Sequence, residues 1–180
     1  DYVSDMLHIM GSFIVSSIRR RNLLRQLERM SYRDQLTQFG NRYAVDWFVE
    51  HEWNGEQIGV VYCDITGLKK VNDEQGHEAG DRLIIRACEC LAGVFKGYGL
   101  YRIGGDEFLV LCLGIEEKDL REHVEKLRTE RKEHQVTIAV GMIWKERGPK
   151  DIDLLLNESE RLMYEDKEWY YKEHGRKRRR

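Results

Sequence analysis

No stretch of this chain is apolar for the roughly 20 residues that a membrane-spanning helix requires, and no signal-peptide pattern opens it. Its charge has no dominant sign. Thirty Lys and Arg stand against 32 Asp and Glu, for a formal net charge of −2. That balance gives no reason to expect nucleic acid as a partner. The one basic run, Arg176 to Arg180, reads as a solvated tail. Among the four cysteines (Cys63, Cys88, Cys90 and Cys112) there is no CxxC pair. Cys88 and Cys90, two apart on an expected helix, point to different sides, and Cys63 and Cys112 lie in apolar runs. Small buried thiols in a reducing cytoplasm are expected, rather than a disulfide framework or a zinc site. Internal repeats and low-complexity linkers are also missing.

What is present is enough for one domain of ordinary size plus an extension: 180 residues, 41% hydrophobic and 34% charged. The charged share exceeds the usual quarter, as expected of long exposed helices. Residues 1–30 read as one such helix. Met6, Ile9, Phe13, Ser16, Arg20, Leu23, Leu27 and Met30 follow alternating steps of three and four, a heptad seam with two polar positions in its middle. The seam suits pairing with a second copy; the alternative is a helix packed on its own domain.

Residues 31–42 break that pattern with cap and turn residues, and Gly40-Asn41 reads as the start of a helix over about 41–52. Its expected core residues are Tyr43, Ala44, Trp47 and Phe48. Ile58 to Asp64 reads as a buried central strand with an acid at its carboxyl end, where sites form in α/β sheets. Residues 65–81, with three glycines, read as a helical turn and loop. A helix from Asp81 follows, with Leu83, Ile84, Ala87, Leu91 and Val94 on its apolar face. Strands at 100–103 and 108–113 flank Gly104-Gly105, a hairpin signal. A charged helix (117–132), a strand (136–143) and a final helix (151–172, core face Leu154, Leu155, Leu162 and Met163) complete the chain. The order β-α-β-β-α-β-α predicts an α+β fold of the ferredoxin-like or palm type. Its sheet is antiparallel-dominated and flanked by helices, and the long coiled-coil helix precedes it.

The hairpin carries the chemistry. Asp106 and Glu107 directly follow two glycines, and adjacent acids at a tight turn repel unless a cation sits between them. The alternatives are a divalent-cation site of the kind used in phosphate chemistry and a solvated turn. Asp64 alone reads equally as a helix N-cap. This topology brings it toward Asp106 and Glu107, and three carboxylates from two strands suit a two-metal site for phosphoryl transfer. Burying clustered acids without a cation is costly.

These residues resemble the GGDEF family of diguanylate cyclases over about residues 31–172. Gly104-Gly105-Asp106-Glu107-Phe108 is the signature. Asp34-x-Leu36-Thr37 with Asn41-Arg42 resembles the family's opening motif, with Gln38 at a usual glycine. Asp64-Ile65, Lys69 to Asp73, and Gly76-His77-x-x-Gly80-Asp81 resemble its metal and nucleotide segment, and Met163 to Lys167 its last helix. The resemblance implies an enzyme that condenses two GTP into cyclic di-GMP and two pyrophosphates across a homodimer. It implies that Asp64, the Ile65 carbonyl, Asp106 and Glu107 hold Mg²⁺, two ions per site with Mn²⁺ as an alternative, and that Asp106 is the candidate base. Asn72 and Asp81 would read the guanine edge, His77 would lie near the nucleotide, and Lys69 and Lys167 would neutralise phosphate charge. Taken singly, the two lysines also read as solvated surface residues.

Some positions depart from the family. The inhibitory Arg-x-x-Asp product site falls on Phe95 and Tyr98, so no inhibition through it is expected. Thr66-Gly67-Leu68 stands where Asp-x-Phe is usual, and the arginine that follows Lys167 in relatives is displaced. The first helix resembles the one that leaves a GAF-type sensor domain, so an upstream sensor is expected. The expected domains are a signalling helix (1–30), a cyclase domain (31–175) and a basic tail (176–180). Other readings are a catalytically silent GTP-binding sensor or scaffold, an enzyme making a mixed guanine–adenine dinucleotide, which Asp81 disfavours, and a generic interaction domain.

Overall fold

The computed structural model describes residues 2–30, 32–149 and 151–173, with side chains of the first helix described at position 6 and from 10 to 24. It comprises two compact units, residues 1–32 and 33–180. In the first, α1 runs from Tyr2 to Met30, as the three-four spacing predicts. Phe13 is 73% exposed, and Met6, Met10 and Ile14 share its side of the helix, also exposed. Ser16 and Arg20 are exposed as well. The seam side chains Ile9, Leu27 and Met30 and the basic tail lie outside the described residues. No helix among the described residues is long and apolar enough to cross a membrane.

The second unit runs α2 (Arg42–His51), β1 (Ile58–Ile65), α3 (Leu68–Gln75), α4 (His77–Val94), β2 (Gly99–Arg102), β3 (Glu107–Leu113), α5 (Glu117–Glu133), β4 (Ile138–Lys145) and α6 (Asp153–Glu173). The four strands form an antiparallel sheet in the order β2-β3-β1-β4. This is the α+β architecture that the element order predicts.

Every residue of β1 is buried, because the sheet is covered on both faces and side chains alternate between them. Val61, Cys63 and Ile65 join Phe108, Val110, Ile138 and Val140 in the core under α4 and α5. Val60 and Tyr62 join Leu109, Leu111 and Ala139 in a second core under α2 and α6. All four cysteines are free and buried, and burial pushes the Cys88 thiol up to about 12. They are packing residues.

Three local expectations are corrected. Residues 65–81 hold a further helix, α3, and α4 begins at His77 rather than Asp81. Two of the three glycines that suggested a loop are helix ends: Gly67 and Gly76 have φ of 91° and 84°, which glycine adopts without strain. The third, Gly80, lies within α4. In α2, Asn41 caps the first turn by accepting from the Ala44 amide (3.1 Å). Its buried residues are Val45 and Phe48, while Trp47 is exposed and stacks on His51 with ring centroids 5.0 Å apart. In α6, Leu154 is 60% exposed, and Leu155, Leu156, Ser159 and Met163 face the sheet. In both helices apolar residues occupy two adjacent stripes, and only the sheet's position selects between them.

Helix α6 lies backbone-close on β4 at Gly141. A Cβ there would fall 1.9 Å from the Ser159 carbonyl oxygen and 2.3 Å from the Met163 nitrogen. Gly141→Ala is therefore expected to push α6 off the sheet and cost roughly 1–3 kcal/mol. The check is a lower denaturation midpoint in urea.

Candidate functional site: carboxylates at the strand ends

Asp64 is the penultimate residue of β1 and is 4% exposed. Alternation puts it on the same face as Val60 and Tyr62, toward α6. Directly opposite it in the β1–β3 register is Glu107. The Ile65 amide donates to the Asp106 carbonyl at 2.9 Å, and the Ile103 amide donates to the Glu107 carbonyl at 3.0 Å. The hairpin thus sets both acids beside the end of β1. A Cβ on Gly104 would fall 2.5 Å from Glu107 Oε2, so a side chain there would displace the end of that carboxylate.

The charge in this corner is unbalanced toward the negative. Burial raises the Glu107 pKa, and the charges of Asp106, Asp64 and Glu160 raise it further, against a smaller opposing pull from Lys167. Lys167 reaches in from α6. Its Nζ lies 2.6 Å from Asp64 Oδ1 and donates to Oδ2 at 2.7 Å. The neighbouring Asp166 anchors this part of α6: its Oδ2 accepts from the Val140 amide at 2.9 Å, and Arg128 approaches its Oδ1 at 3.8 Å. Arg131 donates to the carbonyl of Ile138.

The donor set fits a hard divalent cation. Asp64, Asp106 and Glu107 are oxygen ligands on adjoining strand ends, and their mutual repulsion would be relieved by a positive charge. The set is not drawn to one point, however. Among the described residues no three His, Cys, Asp or Glu side chains converge as a ready-made metal group.

The remaining expected residues lie on α3 and α4. Asn72 is packed against Gly80, where a Cβ would fall 1.9 Å from Asn72 Oδ1. That Oδ1 is shielded from solvent and accepts no hydrogen bond among the described residues. Asp81 follows Gly80 and is exposed, as are His77 at the start of α4 and Lys69 in the first turn of α3. Among the described residues no hydrogen bond or ion pair ties Lys69, His77 or Asp81 to the carboxylates of the strand ends.

One participant escaped the sequence reading. Arg102, on β2, donates from Nη2 and Nε to the Gly105 carbonyl at 2.8 and 3.3 Å. From Nη1 it meets Asp34 Oδ1 and Oδ2 at 3.1 and 3.3 Å. Asp34 also accepts from the Thr37 amide (2.8 Å) and hydroxyl (2.7 Å). The turn before Asp106 is thereby tied to the segment that leads into the domain. Gly40 continues the tie: its amide donates to the Leu100 carbonyl at 2.9 Å, and its carbonyl accepts from the Arg102 amide at 2.7 Å. Gln38, standing at the family's usual glycine, has φ of 61°, the left-handed region that favours glycine. The signal for Arg102 in the sequence was a lone cation in a short strand two residues before the glycines.

At the position of the product site, Phe95 is fully buried. The His123 ring stacks on it at 5.6 Å and meets Tyr98 edge-on at 5.9 Å. Among the described residues no guanidinium–carboxylate pair stands there.

Comparison with known proteins agrees with this architecture. The family described as "Diguanylate cyclase, GGDEF domain" matches residues 31–172. A protein from Streptomyces griseus named for the region 5′ of hutH is 34% identical over 119 residues, covering 62% of this chain and 49% of its own. The diguanylate cyclase DgcP of Escherichia coli (strain K12) is 28% identical over 184 residues, covering 90% of this chain and 54% of its own. The chain therefore spans about half of these relatives. Among solved structures, the coiled coil and GGDEF domain of DgcB from Caulobacter crescentus, in complex with c-di-GMP, has a TM-score of 0.68 at 21% identity. It covers 93% of this chain and 94% of that one. The FimX GGDEF domain of Pseudomonas aeruginosa has a TM-score of 0.69 at 17% identity, covering 77% and 94%.

The Asp34–Arg102 pair has a pH signature. Burial alone would raise the Asp34 pKa, but hydrogen bonds from Thr37 and the charge and hydrogen bond of Arg102 bring it below its ordinary value. A depressed carboxylate contributes stability above its unfolded pKa and loses it as pH falls through the folded one. Asp34→Asn should cost about 1 kcal/mol at neutral pH, allowing for partial exposure. The gap between parent and variant should close as pH falls below about 4. Urea titrations at several pH values check both.

Proposed function

This chain belongs to the GGDEF family of diguanylate cyclase domains, and from that premise we propose that it condenses two GTP into cyclic di-GMP and two pyrophosphates across a homodimer. The observation that carries the reading is the buried Asp64 paired in register with Glu107 beside Asp106, inside an intact Gly104 to Phe108 signature. The catalytic domain would span residues 31–175, with α1 as the signalling and dimerisation helix and residues 176–180 as a tail. The setting would be the cytoplasm, downstream of a sensor domain.

In this reading Asp64, the Ile65 carbonyl, Asp106 and Glu107 hold Mg²⁺, two ions per site, with Mn²⁺ as an alternative. When bound, such ions draw charge from the α-phosphate and sharpen the attacking 3′-hydroxyl. Asp106 takes the proton of that hydroxyl. Asp81 and Asn72 read the guanine edge. A carboxylate accepts from the guanine N1–H and amino group together, which adenine does not offer. An Asn72 oxygen that lacks a donor among the described residues suits such an edge. Lys69 and Lys167 meet phosphate charge, and His77 stands near the nucleotide. Catalysis needs two sites face to face, and the exposed apolar side of α1 would supply the pairing.

A silent GTP-binding module is the second reading. It is favoured by the lack of a converged three-ligand group among the described residues, and by relatives such as the cyclic di-GMP phosphodiesterase PdeR of Escherichia coli (strain K12), 29% identical over 172 residues.

Incubation with GTP and Mg²⁺, followed by chromatography, decides between them. Cyclic di-GMP from the parent and none from the Asp106→Ala, Glu107→Ala double variant is the expected result; GTP binding without product would establish the silent module. Added cyclic di-GMP should leave the initial rate unchanged, because Phe95 and Tyr98 fill the product-site position. Replacing both Ser16 and Arg20 with leucine should lock the helix pair in one register. Unchanged activity and dimerisation in that variant would count against a switchable seam.

A further inference from the structure

Two demands fall on the same pair of oxygen atoms. A carboxylate as buried as Asp64 needs a counter-charge, because an isolated ion away from water is strongly destabilising. Lys167 supplies it, with Nζ 2.6 and 2.7 Å from the two oxygens. A divalent cation bound through Asp64 would sit about 2.0–2.1 Å from one of those oxygens. An ammonium in contact with the same carboxylate would then be a few ångströms from a double positive charge and strongly repelled. The two cations therefore compete for Asp64, since each weakens the other's hold on the carboxylate.

We infer that Lys167 is an exchangeable counter-ion of Asp64, displaced when a divalent cation takes the carboxylate and released by that step to meet the nucleotide's phosphates. This rests on the reading of the site as a metal-dependent GTP centre. It adds an order of events and a reason for it: metal binding creates the phosphate-binding arm.

The geometry suits an exchange confined to one side chain. Lys167 is 22% exposed at its side chain, so the side chain already borders solvent. Its backbone stays in place because Asp166, next in sequence, holds the Val140 amide and faces Arg128. Gly141 fixes α6 on β4 a helical turn away. A four-carbon stem on an anchored backbone changes rotamer rapidly, so no helix movement is needed. The arrangement also keeps Asp64 compensated at every stage, by an amine or by a metal, and spares the strand end an uncovered charge.

The test is Mn²⁺ binding to the nucleotide-free protein, followed by the electron paramagnetic resonance signal of unbound Mn²⁺. Lys167→Gln should bind Mn²⁺ about tenfold more tightly than the parent, the scale of one competing charge at contact distance in a half-solvated site. Adding Asp64→Asn should abolish the gain. Unchanged or weaker binding in a folded Lys167→Gln variant overturns the inference. A second readout needs no variant. Acylation of the Lys167 amine, mapped by mass spectrometry with exposed Lys69 as the control, should speed up several-fold when Mg²⁺ is added without nucleotide. An unchanged rate overturns the exchange. A chain that shows the competition yet forms no cyclic di-GMP would sink the cyclase reading and leave the exchange standing. Cyclic di-GMP production with Mn²⁺ binding indifferent to Lys167 would do the reverse.

Discussion

The structure is arranged around one electrostatic problem, a carboxylate buried at the end of an otherwise apolar central strand. Asp64 sits on β1 with both neighbouring strands in place and a helix over its face. Water cannot solvate it there, so the protein must. Lys167 answers from α6, and the position of α6 is secured nearby by Asp166 on the β4 backbone and by the gap over Gly141. The packing of the last helix and the chemistry of the strand end are thus one arrangement, and disturbing either disturbs both.

A second consequence is the accumulation of negative charge beside it. Glu107 lies opposite Asp64 because antiparallel register places it there, and Asp106 follows from the same hairpin. A protein selected only for stability would gain by removing one of these acids. Their mutual repulsion is of the kind that a cation between them would relieve. Arg102 works on the other side of the turn. It grips the Gly105 carbonyl with one edge of its guanidinium and Asp34 with another. The planar fork suits two simultaneous partners, which a lysine would not match. Residues 34–40 and the Gly104-Gly105 hairpin are therefore joined through one side chain.

Much of this was readable from the sequence. The strand order, most of the helices, the hairpin at Gly104-Gly105 and the approach of Asp64 to Asp106 and Glu107 follow from periodicity, turn chemistry and the topology they imply. Where the reading failed, the causes are specific. Residues 65–81 looked like a loop because glycines interrupt a helical pattern. Two of them, Gly67 and Gly76, prove to be the ends of successive helices, which φ reveals, and Gly80 is carried inside α4. Trp47 and Leu154 looked like core because large apolar residues usually are, yet each lies one stripe away from the face the sheet covers. Arg102 was passed over because its partners, Asp34 and the Gly105 carbonyl, are respectively distant in sequence and part of the backbone.

The sequence by itself determined the local elements and the kind of chemistry: alternating strands, amphipathic helices, a tight turn carrying two acids, and a third acid at a strand end. These depend on short-range periodicity and on the properties of single side chains. Only the tertiary structure decided which charges meet. That Lys167 faces Asp64, that Arg102 joins Asp34 to the turn before Asp106, and that Asn72 presses on Gly80 depend on how the elements dock on the sheet. Docking is set by summed contacts over whole surfaces and by close approaches at a few glycines, and no single stretch of sequence encodes it.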